Sequence, residues 1–168
     1  MAFEDQSDIH DTTQQAEGAL DDVDRGILFA LQRNARSATT TDIGDEVGVS
    51  ASTVRNRIEK LEGTGVITGY STDINYERAG FQLNTQFVCS VGPKERETTA
   101  RAILDIPGVV DVREMLTGER NLYIEVVAMS TRDLAKITDS ITELGVVIIS
   151  SELITNHYRQ PFSHLEKV

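Results

Sequence analysis

The stretch VGVSASTVRNRIEKLEGTGVI, Val47 to Ile67, constrains the fold more than any other part of this chain. Ser50 is a good helix N-cap, and Ala51, Val54, Ile58 and Leu61 follow at offsets of three and four, on one side of a 3.6-residue helix. A turn of about 100° per residue sets Ser52, Asn56, Glu59 and Lys60 opposite that stripe, with Thr53, Arg55 and Arg57 on its flanks. Just upstream, the pattern predicts a short helix from Thr41 to Val47, with Ile43 and Val47 four apart and Gly48 as its stop. Two helices joined by the tight turn GVSA form a helix-turn-helix unit, whose second helix enters the major groove of DNA. The ordinary alternative is a solvated helix face. Against it, the outward face is short-chained and hydrogen-bonding rather than rich in Glu and Lys, and its cations cluster within the six residues from Arg55 to Lys60.

The charge distribution agrees with this placement. The chain carries a formal net charge of −11, which by itself argues against a nucleic-acid partner. Residues 1–24 hold eight acids and no Lys or Arg, residues 25–62 six bases and five acids, and residues 63–168 ten bases and fourteen acids. The middle segment is therefore the only one that is not acidic, and any electrostatic footprint for DNA lies there. A carboxylate-rich remainder is also what a high-salt cytoplasm favours, so composition suggests a halophilic source.

Elsewhere the chain reads as a tail, a hinge and a second domain. Residues 1–19 are polar, acidic and aperiodic, and are expected to be a disordered tail that opposes DNA approach in low salt. From Leu20, LDDVDRGILFALQRNAR sets Val23, Ile27, Leu28 and Leu31 at helical spacing, so residues 20–68 are assigned to the DNA-binding domain. Val66 and Ile67 are expected to be a short strand that forms a wing or leads to one, with residues 69–82 as a linking strand or hinge. In residues 83–168, FQLNTQFVCSV predicts a strand with Leu83, Thr85, Phe87 and Cys89 on one face, and residues 94–104 a helix with Ala100, Ile103 and Leu104 inward. GVVDVREMLTGERNLYIEVVAM predicts two strands about the turn TGERN. A helix from Thr131 to Leu144, with Leu134, Ile137, Ile141 and Leu144 inward, and a strand in VVIISSELITNHY complete the pattern. Strand, helix, strand, strand, helix, strand is the ferredoxin-like order, and the fold class expected is α+β: a winged helix-turn-helix domain followed by a ferredoxin-like domain. LYIEVVAM has more apolar residues than one face of so small a sheet hides, which predicts a homodimer and a palindromic site.

These motifs resemble the Lrp/AsnC, or feast/famine, family of transcriptional regulators. LDDVDRGILFALQRNAR and VGVSASTVRNRIEKLEGTGVITGY follow its D..IL..L..N.R and VG.S..TV..RI..LE..GVI.GY patterns, and IPGVVDVREMLTGERNLYIEV is similar to its amino-acid-responsive half. The resemblance covers nearly everything after the acidic tail. It implies double-stranded promoter DNA as partner, a domain that dimerises through its sheet and often assembles into tetramers or octamers, and an amino acid or related metabolite as effector near TGERN. The DNA-binding candidates are Ser50, Ser52, Thr53, Arg55, Asn56, Arg57 and Lys60: Ser52, Thr53 and Asn56 for base edges, the cations mainly for phosphates. Arg57, on the flank, has pairing with Glu62 or capping of the first helix as its alternatives. The effector candidates are Thr117, Gly118, Glu119, Arg120 and Asn121, with Ser150 and Ser151 facing them. At Asn121 the family usually has an Asp, whose carboxylate would hold a ligand's ammonium group; Asn keeps an acceptor and loses the charge.

Other classes are disfavoured. No P-loop or dinucleotide glycine motif occurs, no nucleophile has a paired base, and His157, Tyr158 and Arg159 form an isolated polar cluster, so no catalytic residue and no cofactor is expected. A sequence-indifferent DNA coater would need denser positive charge than +1. His10, His157, His164 and the single cysteine, Cys89, fit no metal spacing, and Cys89 reads as a buried small hydrophobe. With no apolar run near the roughly 20 residues of a membrane span and no secretory pattern, a cytoplasmic location is expected.

Overall fold

The structure, a computed structural model, describes residues 20–116 and 118–165. The acidic segment 1–19 and Thr117 lie outside the described residues. Two compact units are present, residues 20–71 together with 159–165, and residues 72–158.

The first unit is built on three helices, α1 (Asp22–Asn34), α2 (Thr40–Val47) and α3 (Ala51–Gly63). Each begins on a side-chain cap. Asp21 accepts the Asp24 N–H while Asp24 accepts back from the Asp21 N–H, and Thr39 and Asp42 repeat the device one helix later. The cap at Thr39 starts α2 one residue before the Thr41 read from the apolar spacing. Gly48, at φ +76°, ends it in the left-handed conformation that suits glycine. Ile27, Ala30, Ile43, Val47, Val54 and Leu61 form the core of this unit. The residues after Tyr158, assigned from sequence to the second domain, belong here: a 3-10 turn (Ser163–Leu165) packs on α1, and the Phe162 N–H donates to Gln32 Oε1 at 2.9 Å.

The expected wing strand is absent among the described residues. After α3, Gly65 turns the chain at φ +74°, and the N–H groups of Val66 and Ile67 both donate to the Leu61 carbonyl, at 2.9 and 3.0 Å. Their donors close the helix end and are not offered to a sheet, while Ile67 packs on the core. Residues 69–82 likewise form no strand; residues 76–80 are a turn closed by the Phe81 N–H on the Tyr76 carbonyl at 2.8 Å.

The second unit runs β1 (Leu83–Ser90), α4 (Arg96–Leu104), β2 (Val109–Glu114), β3 (Leu122–Ala128), α5 (Thr131–Glu143), β4 (Val147–Leu153). All strand pairings are antiparallel in the order β2-β3-β1-β4, the ferredoxin-like arrangement expected. Phe87, Cys89, Leu122, Ile124 and Val126 meet Ile103 of α4 and Ile137 and Ile141 of α5 in one core. Leu104 and Leu144, expected inward, are 52% and 39% exposed, because one ends α4 beside the fully buried Ile103 and the other is the C-cap of α5. Burial pushes the Cys89 thiol up to about 12, so it behaves as the small hydrophobe expected. The apolar surplus read in β3 lies instead on β4. β3 is central and its Leu122, Ile124 and Val126 are fully covered, whereas the edge strand exposes Val147 and Leu153 at 62% and 65%.

Candidate nucleic-acid interface

The outward face of α3 begins at its cap. Ser50 Oγ accepts the Thr53 N–H at 3.2 Å and lies 2.9 Å from Ser52 Oγ and 2.8 Å from Thr53 Oγ1, so the hydroxyls that open the helix form one hydrogen-bonded group. Beyond it, Ser52, Arg55, Asn56, Glu59 and Lys60 are exposed, while Val54 and Leu61 are buried on the opposite side. Thr53 is half-buried. At about 1.5 Å rise per residue, the row from Ser52 to Lys60 is about 12 Å long, comparable to the width of the major groove.

The turn that presents α3 depends on close backbone contact. A methyl group on Gly44 would lie 2.6 Å from the Val49 carbonyl oxygen, and one on Gly26 would lie 2.5 Å from a Val47 methyl. These glycines let α2 seat against the turn and α1 against α2. Sequence reading passed over both, although a glycine inside an apolar-periodic helix is the signal of such an approach.

Arg57, expected at a phosphate, is ion-paired within this unit. Its Nη1 lies 2.7 Å from Asp21 Oδ2 and 3.1 Å from Asp24 Oδ1, so it binds the carboxylates that cap α1. The Asp24 N–H bond first, and the guanidinium with it, hold the Asp21 carboxyl below its usual value against the opposing effect of desolvation, and the two carboxylates in turn raise the Arg57 value. Glu62, the partner considered from sequence, instead accepts the Tyr70 hydroxyl at 2.8 Å. Arg33 pairs with Glu46 and Arg25 with Asp22. Among the described residues of this unit, Arg36, Arg55 and Lys60 make no ion pair, and Arg36, at the end of α1, was not anticipated.

The expected effector residues do not converge. Asn121 is 5% exposed; its Oδ1 accepts the Val91 N–H at 3.0 Å and its Nδ2 donates to the Val91 carbonyl at 2.9 Å, so the amide is spent on the backbone after β1. Gly118, Glu119 and Arg120 are exposed in the turn, with Gly118 at φ +96°. Ser150 and Ser151 pair with Val88 and Phe87 of β1, two strands away from β3, and as neighbours in a strand they face opposite sides of the sheet. A residue the sequence did not single out, Arg96 at the start of α4, holds the turn's base by donating to the Met115 and Leu116 carbonyls at 2.7 and 3.3 Å.

Comparison with known proteins fits this architecture. The AsnC-type helix-turn-helix domain matches residues 20–62, which span α1, α2 and all but the last residue of α3. The HTH-type transcriptional regulator AldR of Mycolicibacterium smegmatis is 32% identical over 145 residues, 83% of this chain and 84% of that protein. The chain belongs to the Lrp/AsnC family of transcriptional regulators. As an Lrp/AsnC protein it is an HTH-type, DNA-binding transcription regulator. The regulator Ptr1 of Methanocaldococcus jannaschii shares 32% identity over 117 residues, 70% of this chain and 78% of its own. Among solved structures, the leucine response regulatory protein LrpA of Mycobacterium tuberculosis superposes with a TM-score of 0.73 at 27% identity, covering 88% of this chain and all of that one. The Lrp/AsnC likeness therefore extends through both units. No helix among the described residues is long and apolar enough to cross a membrane.

Proposed function

We propose that this Lrp/AsnC regulator reads promoter DNA through α3, with Ser52, Thr53 and Asn56 directed to base edges and Arg55 and Lys60 to phosphates, Arg36 adding a further backbone contact. The observation that carries the reading is the exposed row Ser52, Arg55, Asn56 and Lys60 on a helix whose opposite side is buried. Short polar chains near the axis reach bases, and long cations reach the backbone. Ser50 supports the start of that row as its cap. A duplex selected by the protein from a random-sequence library tests the assignment. Asn56→Ala should lower affinity by about 1–3 kcal/mol and relax one base position, whereas Lys60→Ala should weaken all duplexes alike and flatten the salt dependence. Equal loss on selected and random DNA for Asn56→Ala would refute base reading.

The working form is a homodimer or a higher assembly of dimers on a palindromic site. Support comes from the exposed Val147, Ile149 and Leu153 of the edge strand β4 and from the two-fold logic of paired recognition helices. Sedimentation showing a monomer at micromolar concentration in high salt would contradict it. A small amino acid or nitrogen metabolite is the proposed effector, and the name of the related LrpA, a leucine response protein, supports that class. Its contacts would come from Gly118, Glu119 and Arg120 of the turn. The acidic surface suits work in a concentrated-salt cytoplasm, as expected of a halophilic source.

A further inference from the structure

We propose that Arg57 is a positioning residue, which clamps α3 to the capping carboxylates of α1 and so sets the rotation at which Ser52 and Asn56 meet DNA. Three observations on one guanidinium support this. Nη1 reaches Asp21 Oδ2 at 2.7 Å and both oxygens of Asp24 at 3.1 and 3.3 Å. The Asp24 side chain is only 8% exposed, so its carboxylate is buried and needs a cation beside it. The same two aspartates form the reciprocal cap of α1, so the contact joins α3 to the fixed first turn of another helix and not to a mobile surface chain.

The rotation matters because small angles are amplified at side-chain tips. The apolar stripe of α3, buried at Val54 and Leu61, holds the helix against the core but tolerates some roll. A roll of about 20° at a tip radius of about 6 Å displaces a contact atom by about 2 Å, more than a hydrogen bond to a base edge survives. Arg57 follows Asn56 directly in the chain, and its guanidinium is anchored on the first turn of α1, at the place where such a roll is resisted. A direct phosphate role demands the reverse, since Arg57 would have to leave the buried Asp24 carboxylate without a cation, held only by the Asp21 N–H.

This inference rests on α3 being the base-reading helix, and the two fail separately. The full chain is assayed on the duplex that the wild type selects from a random library and on a shuffled duplex of equal composition, across a salt series. Arg57→Gln is expected to lower affinity for the selected duplex about tenfold, to leave the shuffled duplex nearly unchanged, and to keep the slope of log K against log salt. Asp24→Asn should act in the same direction, and the double variant should add little to either. Arg57→Lys, which keeps the charge, should retain part of the discrimination. Equal losses on both duplexes with a flatter salt slope would make Arg57 a phosphate contact and overturn the proposal. So would a gain in affinity from Asp24→Asn, which would mean that the freed guanidinium binds DNA. If Arg57→Gln does not fold, Asp24→Asn and Arg57→Lys decide, and wild-type discrimination by both would overturn it. Unchanged discrimination by Ser52→Ala and Asn56→Ala would instead remove the base-reading assignment itself, whatever Arg57 does.

Discussion

Asn121→Asp, a change toward the residue usual in the Lrp/AsnC family, should destabilise the second unit at neutral pH and should not create a ligand site. The wild-type amide is matched to Val91 in both directions, accepting its N–H at 3.0 Å and donating to its carbonyl at 2.9 Å. A carboxylate accepts the first and repels the second. Leaving the buried Val91 carbonyl without a donor costs about 1–3 kcal/mol. The alternative is that the introduced carboxyl group, at a site 5% exposed, stays protonated and donates its O–H. Holding an acid of ordinary pKa near 3.9 protonated at pH 7 costs about 4 kcal/mol, which is an upper bound. The penalty should therefore lie between about 1 and 4 kcal/mol, a large part of a stability that is about 5–15 kcal/mol for whole domains. The sign with pH follows. The new carboxyl has a folded value above its unfolded one, so its stabilising O–H is present at low pH and lost as pH rises through the folded value. Urea midpoints of both proteins, measured at pH 7 and again near pH 5, should diverge at the higher pH and approach each other at the lower. A variant as stable as the wild type at pH 7, or a difference independent of pH, would refute the structural role of Asn121.

Gly44→Ala should cost about 1–3 kcal/mol and abolish DNA binding, because its methyl would sit 2.6 Å from the Val49 carbonyl, a backbone atom that moves only with the turn; thermal melting and a duplex-binding assay check both parts. Asp21 and Asp133 both have folded carboxyl values below normal, the first chiefly through the Asp24 N–H bond and the second through the Ser130 hydroxyl. Their stabilisation is present above the unfolded value near 3.9 and lost as pH falls through the lower folded values, so Asp21→Asn and Asp133→Asn should each blunt acid unfolding followed by circular dichroism. With Arg36, Arg55 and Lys60 as the cations that make no ion pair among the described residues of the first unit, a DNA-bound dimer using these alone should show a log K against log salt slope of about −5, and a much steeper slope would mean that paired cations such as Arg57, Arg33 or Arg25 also reach DNA.

The elements were legible in the sequence because they rest on local spacing. Val54, Ile58 and Leu61 at three- and four-residue offsets define a helix wherever they occur, and the alternation of Thr85, Phe87 and Cys89 defines a half-buried strand. The outward row of α3 followed from the same period, so the exposure of Ser52, Asn56, Glu59 and Lys60 was legible in the sequence, whereas of the flanking residues the fold exposes Arg55 and half-buries Thr53 and Arg57. What the tertiary structure alone decided is which polar groups were already taken. Arg57 and Asp24 are 33 residues apart, and Asn121 and Val91 are 30 apart, so nothing in their neighbourhoods announces the bonds that tie Arg57 to the first turn of α1 and Asn121 to the backbone after β1. The same applies to Ser150 and Ser151, whose position two strands from the turn depends on strand order and not on spacing. Val66 and Ile67 have strand-forming side chains, yet their N–H groups close α3, because a helix end offers free carbonyls at once and a partner strand has to be brought from a distance. Periodicity assigns each residue to a face; a buried donor or acceptor goes to whatever group the folded chain brings within about 3 Å.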